Sequence, residues 1–266
     1  KQHSGRKTVN AWEIHSLSSF NMQTYGLDHL QRVAMENIDS AEIAKFESLA
    51  ARWWDPNSEF APLHEINPLR VNYIANRHSL HDCRALDVGC GGGLLSEALS
   101  ERGANVTGLD AGAGPIAVAK LHARANNHNI DYRHLTIEQF VDQNPALFDV
   151  ICCLEMLEHV PDPALTIKSC VKLLKPGGDI FFSTINRNLK SFLFAIVGAE
   201  YVLSLLPRGT HDYKKLIRPS ELDQWSRTSG VSLKDITGMH YNPLSKKYRL
   251  GPGVAVNYLA HYRKPD

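Results

Sequence analysis

The chain has 266 residues, 43% hydrophobic and 21% charged, with a formal net charge of +1. That is enough chain for one large α/β domain with an added segment, and the near-neutral charge excludes a strong general pull on nucleic acid. Five cysteines (Cys83, Cys90, Cys152, Cys153, Cys170), an odd number with no CxxC pair, argue against a disulfide framework and suit free, mostly buried thiols in a reducing compartment.

Residues 1–34 lack clear periodicity and carry scattered Ser, His, Gln and Asn. Neither an Arg-rich amphipathic pattern nor a secretory apolar core is present, so this stretch is expected to be a non-native or dispensable extension, largely disordered. The domain is expected to occupy 35–266. Asp39, with Glu42 three residues on, reads as a capped helix start. Ile43, Phe46, Leu49, Ala50, Trp53 and Trp54 follow at helical spacing. The paired tryptophans fit either a core or a lid over an aromatic substrate. Pro68 is expected to open the next helix, through Val71, Ile74 and Ala75, with Arg70 on its first turns. Arg70 is either a surface arginine or a clamp on a cofactor carboxylate.

The centre of the chain is Arg84-Ala85-Leu86-Asp87-Val88-Gly89-Cys90-Gly91-Gly92-Gly93-Leu94-Leu95. A short apolar strand breaks into a G-x-G-x-G turn and then a helix over 94–102, the opening unit of a nucleotide-binding α/β sheet. Gly89 and Gly91 let a ligand approach the backbone closely, and the helix N-terminus adds unpaired N–H groups. Such a loop suits NAD, FAD or S-adenosylmethionine. Asp87 before the first glycine tilts the choice, because a carboxylate there meets a cationic amino group but opposes a pyrophosphate. Asp110 ends the next apolar run, at the spacing of an acid that holds ribose hydroxyls. The alternative is that both acids are local caps.

Pro115 opens a helix through Leu121, residues 130–132 read as a strand, and 134–138 lie where an adenine edge would sit. Residues 148–154 form an almost wholly apolar strand, hence buried on both faces. Residues 180–184 form another, after the Pro176-Gly177-Gly178 turn. Alternation of strand and helix argues for a parallel sheet, with ligands beyond the carboxyl ends of its strands near Gly89, Asp110, Leu154 and Thr184. If the chain after Leu154 is helical, Glu155, Glu158 and His159 share one face. They could then hold a divalent ion that favours ionised phenol oxygens, or His159 could act alone as a general base; otherwise these residues only shape the turn and substrate wall.

Residues 191–206 are strongly apolar, too short to span a bilayer, and flanked by Arg187, Lys190, Arg208, Lys214 and Lys215. This suits either a helix lying on an anionic membrane surface or a buried helix of the substrate region. A helix over 220–230 and strands over 231–236 and 254–262 close the chain.

The segments DVGCGGGLL, VTGLD, LEMLEHVPDP, LLKPGGDIFFSTINRN, VGAEY, PRGTHD, MHYNP and GPGVAVNY closely resemble the bacterial ubiquinone-biosynthesis O-methyltransferases and their mitochondrial relatives. RWWD and FAPLHEINPLR also fit, so the likeness runs from about residue 40 to the C-terminus. The resemblance implies a class I S-adenosylmethionine-dependent methyltransferase fold: a Rossmann-like, seven-stranded, mostly parallel sheet with helices on both faces and the last strand antiparallel. It implies S-adenosylmethionine as methyl donor and O-methylation of polyprenylated catechol-type intermediates, 2-polyprenyl-6-hydroxyphenol and 3-demethylubiquinol. Carried over by position, Arg70, Gly89, Asp110 and Leu154 correspond to cofactor contacts, with Asp87 and Gly91 in the same loop. Glu155, Glu158 and His159 match a triad for Mg2+ or another divalent ion, with His159 assisting proton loss. His211, Tyr241 and Asn242 are further substrate-side candidates. An amphipathic insert at about 187–215 is implied to contact lipid through about 187–209, placing the enzyme peripherally on the cytoplasmic face of the bacterial inner membrane. Other ubiquinone-biosynthesis proteins are the partners this implies, and nucleic acid is not.

Overall fold

Alternating apolar strands and amphipathic helices build one mixed sheet in the order β3-β2-β1-β4-β5-β8-β6-β7. The computed structural model describes residues 37–143, 147–188 and 213–266. The expected N-terminal extension, and most of the apolar insert with His211, lie outside the described residues. The strands are β1 (Arg84–Val88), β2 (Asn105–Asp110), β3 (Asp131–His134), β4 (Phe148–Leu154), β5 (Leu174–Ile185), β6 (Ser232–Asn242), β7 (Lys247–Gly251) and β8 (Asn257–Arg263). The helices are α1 (Ser40–Leu49), α2 (Ala61–Ala75), α3 (Leu94–Glu101), α4 (Ala113–Ala125), α5 (Ile137–Gln143), α6 (Pro163–Leu173) and α7 (Pro219–Thr228).

Strands β1 to β5 run parallel, and β8 returns antiparallel between β5 and β6. The last strand is therefore antiparallel, as expected. The sheet has eight strands rather than seven, because β7 pairs back on β6 as an edge hairpin. Its turn is built by Asn242, whose Oδ1 accepts from the N–H groups of Leu244 and Ser245 at 2.9 and 3.3 Å. The strand order reverses beside β1, which has β2 on one side and β4 on the other. Ligands bind at that switch point, beyond the carboxyl ends of the strands.

Both faces of the sheet are covered. Leu86, Ile151, Cys153, Phe182 and Tyr258 pack with Phe140 of α5, Ile167 of α6 and Leu222 of α7. Their neighbours Ala85, Val150, Cys152, Phe181 and Leu259 pack with Ile74 of α2 and Leu99 of α3. This period of two, apolar on both faces, is the signature of a parallel sheet between helix layers. The five cysteines are free and buried, as their apolar settings foretold.

Two local expectations are corrected. Pro68 lies inside α2, which begins at Ala61 with a proline at its first turn. The apolar stripe of Ile66, Val71 and Ile74 buries the helix on both sides of Pro68 and carries it through. The chain after β4 is not an α-helix. Glu155 takes a left-handed φ of 47°, and only a single 3₁₀ turn, Leu157–His159, follows before α6.

Candidate active site

The loop between β1 and α3 needs its glycines for two reasons. Gly89 and Gly91 have φ of +74° and +54°, a region that L side chains rarely adopt. A Cβ on Gly89 would stand 2.4 Å from Met156 Cγ, and one on Gly91 would stand 2.0 Å from the Trp53 ring. The loop is tied to the end of β2: Gly89 and Cys90 N–H groups donate to Leu109 O at 2.8 and 2.9 Å. Asp110 completes the tie, its Oδ2 accepting from Gly91 N–H at 2.9 Å and its Oδ1 from Gly112 N–H at 2.8 Å. Burial pushes the Asp110 carboxyl up from its ordinary range, against the pull of these two N–H groups. Each oxygen of a carboxylate can accept a second bond, so this anchoring leaves capacity for hydroxyls. Asp87 is buried beneath the loop, where its Oδ2 accepts from Ser96 Oγ of α3 at 2.6 Å. Burial raises it to about 6, opposed by Ser96 and the charge of Arg70. The structure thus uses one Asp87 oxygen for the local anchoring that was the alternative to a ligand contact.

Arg70, buried on α2, and Glu155, partly buried after β4, form an ion pair at the mouth of the switch point. The left-handed turn at Glu155 aims its carboxylate at Arg70, while its N–H donates to Ser183 O at 2.9 Å. The pair is incomplete: Arg70 Nε and Glu155 Oε1 are buried and have no hydrogen-bond partner. An unpartnered donor beside an unpartnered acceptor is costly unless a ligand completes both. A zwitterionic amino-acid group, carboxylate to Arg70 and ammonium to Glu155, has the charges to do so. Leu154, at the end of β4, is buried in the wall next to them.

The expected metal triad is not assembled. Glu155 turns to Arg70, Glu158 accepts from Thr184 Oγ1 at 2.9 Å, and His159 Nδ1 meets Glu42 Oε2 at 3.0 Å. Among the described residues no group of three His, Cys, Asp or Glu is placed to hold a metal ion. The premise of one helical face fails at the left-handed residue, and the three side chains take separate partners. The Tyr241 ring packs on Tyr248, tilted, with centroids 4.8 Å apart, and Asn242 is spent on the hairpin turn, so neither is engaged at the strand tips near Leu154.

The chain matches a family model described as "Methyltransferase domain" over residues 28–233. The ubiquinone biosynthesis O-methyltransferase of Pseudomonas fluorescens is 61% identical over 225 residues, covering 85% of this chain and 97% of that protein. Its namesakes from Pseudomonas aeruginosa (60% identity, 86% of this chain, 99% of that protein) and Saccharophagus degradans (61%, 86% and 97%) match as well. The chain belongs to the ubiquinone biosynthesis O-methyltransferase family. Like the family, it is an S-adenosylmethionine-dependent O-methyltransferase. Solved structures share the fold. Magnesium protoporphyrin IX methyltransferase from Synechocystis, with bound SAH, aligns at TM-score 0.57 and 18% identity, over 77% of this chain and 84% of that one. N-methyltransferase NodS from Bradyrhizobium japonicum, in complex with S-adenosyl-l-homocysteine, aligns at TM-score 0.56 and 19% identity, over 85% and 99%.

In this methyltransferase the residues around α1 complete the site in ways the sequence signals only in part. Trp53 packs its ring on Gly91 and Gly92 and stacks on Phe60 with centroids 4.1 Å apart. Trp54 Nε1 donates to Gly92 O at 2.9 Å, and its ring stacks on His122 at 3.4 Å. The tryptophans therefore fasten the segment after α1 to the outside of the glycine loop, answering to core more than lid. Glu42 is the residue that sequence reasoning misassigned. It was expected to cap α1 beside Asp39, but Asp39 takes the Ala41 and Glu42 N–H groups alone. The Glu42 carboxylate instead holds His159, with Lys215 Nζ at 3.5 Å from its other oxygen. His159 lowers the Glu42 carboxyl to about 2, against the effect of burial.

Proposed function

We propose that this enzyme methylates a phenolic hydroxyl of polyprenylated catechol-type precursors of ubiquinone, 2-polyprenyl-6-hydroxyphenol and 3-demethylubiquinol, at a membrane surface, with His159 as general base. The observation that carries the assignment of the base is the His159–Glu42 hydrogen bond. A carboxylate accepting from Nδ1 puts the ring proton there and leaves Nε2 with a free lone pair, the form that takes a proton from a phenol. S-adenosylmethionine, when bound, supplies an electrophilic methyl carbon on a positively charged sulfur. Asp110 would hold its ribose hydroxyls, Gly89 and Gly91 would admit its backbone-hugging part, and Leu154 would flank the adenine. Arg70 and Glu155, each with an unpartnered buried atom, would take its carboxylate and ammonium. Glu158, buried and raised by that burial, lies against Thr184 and forms part of the substrate wall. Substrate positioning contributes most of the remaining acceleration.

Membrane association rests on the apolar stretch 191–206, named above, and on the residues at its two ends. The described chain leaves β5 at the carboxyl edge of the sheet, where Arg187 Nη1 donates to Lys214 O at 3.1 Å. Arg187, Lys214, Lys215 and Arg218 lie at this end, Arg187 paired with Glu221 and Lys215 with Asp39 at 2.7 Å, while the exposed Lys214 and Arg218 suit an anionic headgroup layer. No helix among the described residues is long and apolar enough to cross a membrane.

The test is methyl transfer to a short-tailed demethylubiquinol. His159→Ala should lower kcat by about 10²- to 10⁴-fold while leaving S-adenosylhomocysteine affinity, read by calorimetry, unchanged. Full turnover by that variant would remove His159 from the reaction.

A further inference from the structure

The β6–β7 hairpin extends past the carboxyl edge of the sheet. Met239 of β6 stands level with Asn257 of β8, and Asn257 stands level with Ile185, the last residue of β5. Strand β6 runs on for three more residues to Asn242, so its turn overhangs that edge by roughly 10 Å at the usual rise per residue. Because β8 is antiparallel to both β5 and β6, this overhang lies on the same edge as Asp110, Leu154 and His159. It is three strands from β4, or roughly 14 Å at ordinary strand spacing.

The chemistry of the tip is unusual for a solvated turn. Leu244 at its apex is 95% exposed, the most exposed large hydrophobic side chain among the described residues. Lys246, Lys247 and Arg249 beside it are exposed and make no ion pair among the described residues. From residue 236 to 265 the sequence contains no Asp or Glu. Asp235 lies at the far end of β6 from the tip, and Glu65 of α2 acts electrostatically on Tyr248. Asn242 fixes the turn with two backbone hydrogen bonds and the tilted Tyr241 ring packs on Tyr248, so Leu244 is held outward on a built support.

We propose that the β6–β7 hairpin tip is a second lipid-docking point, with Leu244 entering the headgroup boundary of an anionic bilayer and Lys246, Lys247 and Arg249 meeting its phosphates. An exposed apolar apex ringed by cations with no intervening acid is complementary to such a surface and to no other common partner so directly. Docking through this tip, on the same edge as the carboxyl end of β5, would turn the open ends of the parallel strands toward the bilayer. A substrate whose tail stays in the membrane then presents its ring to the site without leaving it. The inference rests on the membrane reading given above.

Vesicle co-sedimentation of the full chain tests it, with vesicles of phosphatidylglycerol mixed with phosphatidylcholine, and of phosphatidylcholine alone. Leu244→Asp, and separately Lys246→Glu with Lys247→Glu, should each weaken binding to the anionic vesicles about tenfold. Turnover of a short-tailed soluble substrate should stay at the wild-type rate, showing that the variants fold. Unchanged vesicle binding by either variant overturns the hairpin proposal and leaves the membrane reading standing. Failure of the wild-type protein to bind either vesicle overturns both. A lipid-free dimer that Leu244→Asp dissociates would assign the tip to a second copy of the chain and overturn the proposal as well.

Discussion

Asp179, in the amino-terminal half of β5, and the Arg70–Glu155 pair, at the carboxyl edge of the same sheet, are both buried charge finished in different ways. Asp179 is fully enclosed: its Oδ1 accepts from His261 Nε2 at 2.7 Å, and its Oδ2 meets His78 Nδ1 at 2.8 Å and Arg263 Nη1 at 3.4 Å. Burial alone would raise the carboxyl, but the two histidines and the arginine hold it well below the usual carboxylate range. His261 also stacks on Phe181 at 4.7 Å. At the other edge, Arg70 and Glu155 satisfy each other once and leave a donor and an acceptor bare. The first cluster has every charge answered from within and serves the fold. The second is closed only by something added, and it stands where ligands of this architecture bind.

The largest expected effect comes from breaking the closed cluster. Asp179→Ala strands the two imidazoles around a vacated buried site, and should cost about 3–5 kcal/mol in urea unfolding. The rate per folded molecule should be unchanged. The pH dependence has a definite sign. A depressed carboxyl contributes stability that is present above its unfolded value and lost as the pH falls through its folded one. The gap between wild type and variant should therefore narrow below about pH 4, the unfolded range of Asp. A gap that widens on acidification would remove Asp179 from that role. The open cluster should respond in the opposite way. Replacing both partners, Arg70→Met with Glu155→Gln, removes a partly buried ion pair as a unit and should leave stability nearly unchanged. S-adenosylhomocysteine binding should weaken about 100-fold, the loss of two charged hydrogen bonds. Retained affinity would reduce the pair to a second Asp179.

What was legible follows the range of the physics. The glycine loop, its strand and helix, and Asp110 were readable because each depends on spacing within a few residues. The parallel core was readable from the apolar strands that form it. The misreadings are all places where a distant contact or a single dihedral decides. Pro68 looks like a helix start, yet the buried stripe on either side of it extends α2 backward to Ala61. Strand β7 carries two cations in five residues and owes its place to a hairpin turn, not to its own composition. Glu155 gives no outward sign of a positive φ, a conformation rare for its residue type, and that one dihedral dissolves the anticipated triad. The same carboxylate was read toward a metal and lies on an arginine.

Glu42 sharpens the comparison at its finest scale, because it is a charge neither sealed in the core nor left open. Its partner His159 lies 117 residues away in sequence, so no local pattern could have paired them. The carboxylate is held at about 2, foremost by the His159 hydrogen bond and against burial, with Lys45 and Lys215 adding attraction. It is therefore ionised throughout the neutral range and presents a constant negative charge to Nδ1. Glu42→Gln keeps the shape and an acceptor oxygen but removes that charge. If Glu42 orients His159 and stabilises the imidazolium formed on taking the proton, kcat should fall about tenfold with KM little changed. The acid limb of kcat/KM should move to lower pH, since the imidazolium has lost its counter-charge. Folding would absorb a purely structural loss without moving that limb. A variant with lower Tm but an unshifted profile would place Glu42 with Asp179, among the charges that only hold the fold together.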